Sequence, residues 1–388
     1  MDTRPLSTEP AQPESNQAPL PMDAETEMML RLAMLPGLGP RTLAALLDQF
    51  QSAAAVLAAP ALDLAQVDGI GRKLIHTIRT AEDHVSVDAI AAWCRANDVS
   101  IVRRSSESYP RALQELADAP PVLFVRGQVL AADQIAVAVV GTRHATPYGL
   151  KQARHLSYLL AKAGVTVVSG MARGIDAAAH EGALDGGGRT IAVLGSGLGQ
   201  IYPSEHEGLS KAIAADGAVI SEYEPDAKPR GGMFPQRNRL IAGLSLATLV
   251  VEAPDRSGAL ITANLAMEQN REVLALPGPV TSRASRGCNQ LIREGAKLVQ
   301  TVDDILEELG PIEAPFKTES GYEVRNPTEL TLNEVEQKVL TAIGESGTLI
   351  DQVIAASGLP AQRVIAVISV LEMRRLVRRL SGQYVSRI

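Results

Sequence analysis

The sequence predicts an α/β protein: a doubly wound, mainly parallel sheet, flanked by an N-terminal all-α domain and a C-terminal winged helix. Three observations lead there. Apolar, β-branched runs at 135–140 (IAVAVV), 165–169, 190–194, 218–221, 247–252 (ATLVVE) and 272–276 alternate with helix-like segments at about 147–163, 172–184, 204–216, 236–245 and 257–270. Such alternation, with near-continuous apolar strands, marks a parallel sheet covered on both faces. Two similar glycine turns, LPGLGP at 35–40 and VDGIGR at 67–72, each open an amphipathic helix. Helical periodicity returns in LNEVEQKVLTAI, near 350–357 and at 361–376, then gives way to VRRLSGQYVSR, which has the form of a β-hairpin wing.

The elements follow in order. Residues 1–22 are rich in Pro, Gln, Ser and Glu and lack an apolar core, so they read as a disordered tail rather than a signal peptide or anchor. Residues 23–97 form the helical domain. Its two turns resemble paired helix-hairpin-helix units, whose glycines let backbone N–H groups approach a phosphate. A small bundle that uses Gly at tight turns fits the same pattern. Strand-like pieces at 99–102 and 122–125 lead into the sheet domain, 98–310. Residues 311–329 carry Pro, Gly and charge with little periodicity and read as a linker. The winged helix occupies 330–388, and Arg374, Arg375, Arg378, Arg379 and Arg387 make its end locally basic. That tail suits either duplex DNA or a protein partner.

Composition narrows the function. The chain of 388 residues has 46% hydrophobic residues, and no run approaches the roughly 18 apolar residues of a membrane span. Cys94 and Cys288 stand far apart without metal-ligand spacing, which excludes a zinc ribbon or disulfide framework and suits a reducing cytoplasm. A net charge of −7 leaves no general basic coat, so any nucleic-acid contact has to come from local patches. Aromatic residues are 3% of the chain, too few for a long base-stacking platform.

The stretch FPQRNRLIAGLS at 234–245 gathers Phe234, Arg237, Asn238 and Arg239 on one short turn, costly unless an anion compensates them. Three strands end in related ways. The first runs into Gly141, Thr142 and Arg143, the second into SGMARGID with Ser169, Gly170 and Arg173. The third runs through EAPDR into SGALITA, with Ser257 and Thr262. Ligands of an open parallel sheet sit outside these carboxyl ends, where helix N-termini offer free N–H groups. The constellation predicts an anion site. A Walker A loop is absent, GSGLG at 195–199 lacks dinucleotide spacing, and no Ser/His/Asp or Cys/His arrangement appears. Asp176 reads as a helix cap and Cys288 as a buried thiol. No catalytic residue, metal site or cofactor is assigned.

VGTR at 140–143, SGMARGID at 169–176, FPQRNRLIAGLS, VVEA at 250–253, SGALITA at 257–263, REVLALPG at 271–278 and GCNQLI at 287–292 occur in this order. The ordered set closely resembles the DNA-processing protein A family (DprA, also called Smf). The resemblance implies a Rossmann-like central domain and a cytoplasmic homodimer with no enzymatic activity. It implies binding of single-stranded DNA in a basic pocket and loading of RecA recombinase during natural transformation, with single-strand-binding protein as a further partner. By motif position the pocket falls on Gly141, Thr142, Arg143, Ser169, Gly170, Arg173, Phe234, Arg237, Asn238 and Arg239, with Ser257 and Thr262 beside them. Phe234 would either stack a base or anchor the turn as a core aromatic. The rival reading is a nucleotide-binding enzyme of the phosphoribohydrolase type, although its PGGxGTxxE motif has no match here.

Overall fold

A computed structural model describes residues 22–309, 316–317, 322–374, 376–380 and 383–388. The tail expected at 1–22 therefore lies, up to residue 21, outside the described residues, as do Arg375 and much of the expected linker.

The central sheet contains β1 (Val99–Arg103), β2 (Val122–Gly127), β3 (Ala136–Val140), β4 (Thr166–Ser169), β5 (Thr190–Val193), β6 (Ala218–Ser221), β7 (Ala247–Val250), β8 (Glu272–Ala275) and β9 (Lys297–Leu298). Their spatial order is β1-β2-β6-β5-β4-β3-β7-β8-β9. From β6 to β9 all pairings are parallel, while β2 joins β6, and β1 joins β2, antiparallel. The expected doubly wound, mainly parallel sheet is what forms. From β3 the chain winds outward through β4, β5 and β6, then returns to lay β7 on the free side of β3. Val140 pairs with Val250 there, so the two strand ends form the switch point at which such sheets bind ligands.

Period-2 alternation divides β3 between two cores. Ala136, Ala138 and Val140 pack with Leu240, Ile241, Ala259, Ala263 and Leu291 on one face. Val137 and Val139 pack with Leu156, Leu160, Ala179 and Ala183 on the other. The N-terminal helices are not a separate body: Leu30, Leu46, Val56 and Ile78 share one core with Phe124, Ala192 and Val219 of the sheet. The end of the helical domain is broken at Val85 and Ser86 into Ala81–His84 and Val87–Ala96, because buried Val85 adopts an extended conformation. Gly37 and Gly69 turn the two hairpins at φ +85° and +84°, which L side chains rarely adopt.

Two helix starts differ from the expectation in ways that shape the site. The helix expected from 236 begins earlier, as Met233–Gly243, which puts Phe234 and Pro235 in its first turn, where proline is well tolerated. The helix expected from 172 begins later, as Ile175–Asp185, because Met171 and Gly174 take positive φ in the turn before it.

In the C-terminal domain Glu334–Thr341, Ile350–Ser357 and Ala361–Met373 pack around Val339, Val353, Val364, Ile368 and Val385, with Val377–Arg379 and Tyr384–Arg387 as the wing. The second and third helices meet at 111° across Gly358. The described part of the expected linker is structured. Glu323–Val324 pairs with Phe316–Lys317, and Val324 is buried with Leu160, Ile305 and Leu309. Among the described residues no single helix is long and apolar enough to cross a membrane.

Candidate nucleic-acid interface

At the switch point a cleft of about 470 Å3 opens, lined by Gly141, Thr142 and Arg143 after β3, Arg256, Ser257 and Thr262 after β7, and Phe234, Arg237 and Asn238 from the helix Met233–Gly243. The backbone around it is fixed by short-range sequence choices. Thr142 N–H donates to the Glu252 carbonyl at 2.7 Å, tying the two strand ends together. A Cβ on Gly141 would stand 2.4 Å from the Ile175 side chain, so only glycine lets the loop sit this close to the next helix. Ser257 caps the helix Gly258–Glu268, accepting from Ala259 N–H at 3.2 Å, and the start of that helix faces the cleft.

The charge comes from three arginines. Arg237 is 3% exposed, and its Nη1 donates to the Gly170 carbonyl at 2.8 Å and to the Val193 carbonyl, while its Nε donates to Asn238 Oδ1 at 3.2 Å. Among the described residues no carboxylate comes within ion-pair distance of it. Burial pulls its proton affinity down to about 10, with Asp176 opposing and Arg143 adding to the shift, so it stays charged at neutral pH. Asp176, also buried in the cleft wall, has its carboxyl raised by desolvation, against the pull of Arg237. Arg143 is exposed and stacks its guanidinium over the Phe234 ring at 5.0 Å. Exposed Arg256 points at the same cleft, and its neighbour Asp255 is engaged by Arg286 at 3.6 Å. Neither Arg143 nor Arg256 forms an ion pair among the described residues. A buried cation, two exposed cations at the rim and an aromatic face suit a phosphate with its attached base.

Four of the expected residues take other roles. Ser169 is fully buried, and its hydroxyl donates to the Val139 carbonyl at 2.6 Å, so it braces two strands and does not line the cleft. Gly170 acts through what it permits: a Cβ there would stand 2.5 Å from the Arg237 guanidinium. Arg173 lies outside the cleft, its Nε and Nη2 donating to Glu205 at 2.5 and 3.0 Å. Arg239 points away, its buried guanidinium held by Glu222 at 2.7 Å and Asp118 at 3.1 Å. Arg237 and Arg239 are two positions apart on a helix, about 200° around it, so they cannot serve one site. The helix after β3, Pro147–Lys162, is not an open anion site either. The Glu252 carboxylate already accepts from Thr146 N–H at 2.9 Å and from its hydroxyl at 2.6 Å.

Sequence reasoning missed Arg256 and Glu252. The signal for the first was an arginine directly before a helix-capping serine. That for the second was an acid at the end of a central strand with a glycine, Gly149, opposite to admit it. Cys288 is buried and its thiol is pushed up to about 12 by burial, so it is no nucleophile. Among the described residues no cluster of His, Cys, Asp and Glu could hold a metal ion.

The sequence model of DNA recombination-mediator protein A matches residues 100–310, which contain every residue of this cleft. The chain belongs to the DprA/Smf family. The DprA winged-helix model matches 323–383 and a SAM-like helix-hairpin-helix tandem matches 29–81. Protein Smf of Synechocystis sp. is 36% identical over 390 residues, covering 93% of this chain and 98% of that protein. Protein Smf of Escherichia coli is 39% identical over 303 residues, covering 77% and 80%. The X-ray structure of DprA from Streptococcus pneumoniae superposes with a TM-score of 0.64 at 34% identity, covering 74% of this chain and 99% of that one. The DprA relationship thus spans the sheet domain and both flanking modules.

Proposed function

We propose that this protein binds single-stranded DNA in the switch-point cleft and acts as a recombination mediator that loads RecA recombinase onto incoming strands during natural transformation. The observation that carries the DNA reading is Arg237: a buried guanidinium facing a solvent-open cleft, with no carboxylate of the described residues within ion-pair distance and only Asp176, its own carboxyl raised by desolvation, acting on it from the cleft wall. A buried charge of this kind calls for a compensating anion, and Arg143, Arg256 and the capped start of Gly258–Glu268 make that anion a phosphate. Phe234 offers a ring face beside it. The contacts available are to phosphate and to a base face, which position a strand without reading its sequence. A duplex is too wide to bring its backbone to Arg237.

The winged helix is a weaker DNA candidate. Arg387 is spent on buried Glu329 at 2.6 Å and Arg379 on Glu372 at 3.2 Å. Its third helix carries Arg363 as its one cation and exposes Ile365. That face suits a protein partner, and RecA or single-strand-binding protein is the partner proposed. Exposed Ile261 and Met267 on the helix Gly258–Glu268 support a homodimer, which would add avidity when one strand spans two clefts. Cytoplasmic location and the absence of catalysis complete the reading.

Fluorescence anisotropy of labelled oligo-dT, titrated across a salt series without nucleotide, tests it. Single-strand binding that outcompetes duplex and collapses in an Arg143→Ala, Arg256→Ala variant is expected. Release of free base from a nucleoside monophosphate would instead support the phosphoribohydrolase reading, and equal competition by duplex would refute the cleft.

A further inference from the structure

Just outside the cleft stands an aromatic side chain that its geometry does not need. Tyr202 is 40% exposed on the loop that follows β5, with its ring centroid 5.7 Å from that of Phe234 and the two planes tilted by 49°. The other neighbour of Phe234 is the Arg143 guanidinium, 5.0 Å from the same centroid. Arg143, Phe234 and Tyr202 therefore form a row that begins at the cleft and ends on the surface. Beyond it lies Arg173, whose guanidinium sits against Glu205 first and the Tyr202 hydroxyl second, and both raise its proton affinity.

The Arg173–Glu205 pair is open to solvent, with side chains 56% and 50% exposed. Water competes for both partners of so exposed a pair, which leaves it open to displacement. A phosphate offers Arg173 the same planar two-oxygen partner with a larger negative charge. Glu205 then acts as a stand-in that occupies the arginine until a strand arrives, and it imposes a cost on every strand that displaces it.

We infer that Tyr202 and Arg173 form a second nucleotide subsite next to the Phe234 cleft, in which the base stacks on the Tyr202 ring and the phosphate displaces Glu205 from Arg173. The ligand is single-stranded nucleic acid, held by ring face and backbone charge without base-edge hydrogen bonds, and so without sequence preference. The inference rests on the cleft reading above and extends it by roughly one to two nucleotides, since extended single strands space their bases within reach of rings this far apart. It also accounts for Arg173, which carries the expected charge yet lies outside the cleft.

The test compares labelled oligo-dT of about 4 and about 12 nucleotides, both within the site sizes of such grooves. Tyr202→Ala should weaken the longer strand about five- to tenfold and leave the shorter one, held by the cleft alone, unchanged. Tyr202→Phe keeps the ring but loses the hydroxyl, and should bind as the parent does; loss in this variant would mean that Tyr202 acts only by holding Arg173, against the stacking subsite. Glu205→Gln removes the competitor for Arg173 and should tighten the longer strand, while Arg173→Ala should lower the magnitude of the log–log salt slope by about 0.7, one phosphate contact. Thermal melts of each variant check that folding is intact. Parent-like binding by Tyr202→Ala and Glu205→Gln, while Arg143→Ala, Arg256→Ala fails to bind, would overturn the subsite and leave the cleft standing. If that double variant binds as the parent does, the cleft reading falls and the subsite with it.

Discussion

Arg237 reaches its place only because residue 170 has no side chain. Its Nη1 donates to the Gly170 carbonyl at 2.8 Å, and a Cβ on Gly170 would stand 2.5 Å from the same guanidinium. The glycine of one strand end and the arginine of a distant helix form one unit, in which backbone carbonyls hold a cation without neutralising it.

Gly170→Ala should therefore damage binding more than folding. The guanidinium is the flexible end of a long side chain and can swing away, losing its hydrogen bonds to Gly170 and Val193. Oligo-dT affinity is expected to fall at least about tenfold, with a loss of stability near 1–3 kcal/mol from overpacking. Anisotropy and urea unfolding on the same preparation separate the two effects.

Arg143 and Arg256 are exposed and form no ion pair among the described residues, so removing them should cost little stability, within about 0.5 kcal/mol. If each contacts one phosphate, each single alanine variant should lower the magnitude of the log–log salt slope by about 0.7. An unchanged slope would place the phosphates elsewhere.

Arg239 should behave in the opposite way. Arg239→Ala leaves buried Glu222 beside Asp118 without a counter-charge, a change that typically costs about 3–5 kcal/mol. Denaturant unfolding should show this loss, while the molecules that remain folded bind oligo-dT with near-parent affinity. A selective loss of binding with unchanged stability would return Arg239 to the DNA site.

His180 supplies a pH dependence. Its Nδ1 pairs with the Thr190 hydroxyl at 2.7 Å, and that hydroxyl donates to the Val167 carbonyl, so Nδ1 carries the imidazole proton. Nε2 is buried without a partner among the described residues, and burial lowers the histidine from 6.5 to about 3. Between these values the unfolded chain binds a proton that the folded one does not, so stability falls as pH drops through 6.5 and continues to fall toward 3. From pH 7 to pH 5 the loss is about 2 kcal/mol. Urea midpoints at the two pH values should differ less in His180→Gln, and an equal difference would assign the acid sensitivity elsewhere.

The sequence by itself determined the order of elements, the doubly wound sheet and the location of the cleft. These follow from local signals: unbroken apolar runs such as 135–140, glycines at strand ends, and helix starts directly after them. It also placed Arg143, Phe234, Arg237 and Ser257 near one another, because the ends of parallel strands converge at a switch point. Which way each side chain points was decided only by tertiary structure. Arg237 and Arg239 look equivalent in the sequence, yet one faces the cleft and the other Glu222, because a helical step of two residues turns the side chain to the opposite face. Ser169 stands among the expected pocket residues but closes a bond to Val139 on the neighbouring strand. Glu252 and Thr146, 106 residues apart, meet only when β7 is laid beside β3, and their contact takes one helix N-terminus out of service. Partnership between distant residues depends on which surfaces the sheet brings together, and no local pattern carries that information.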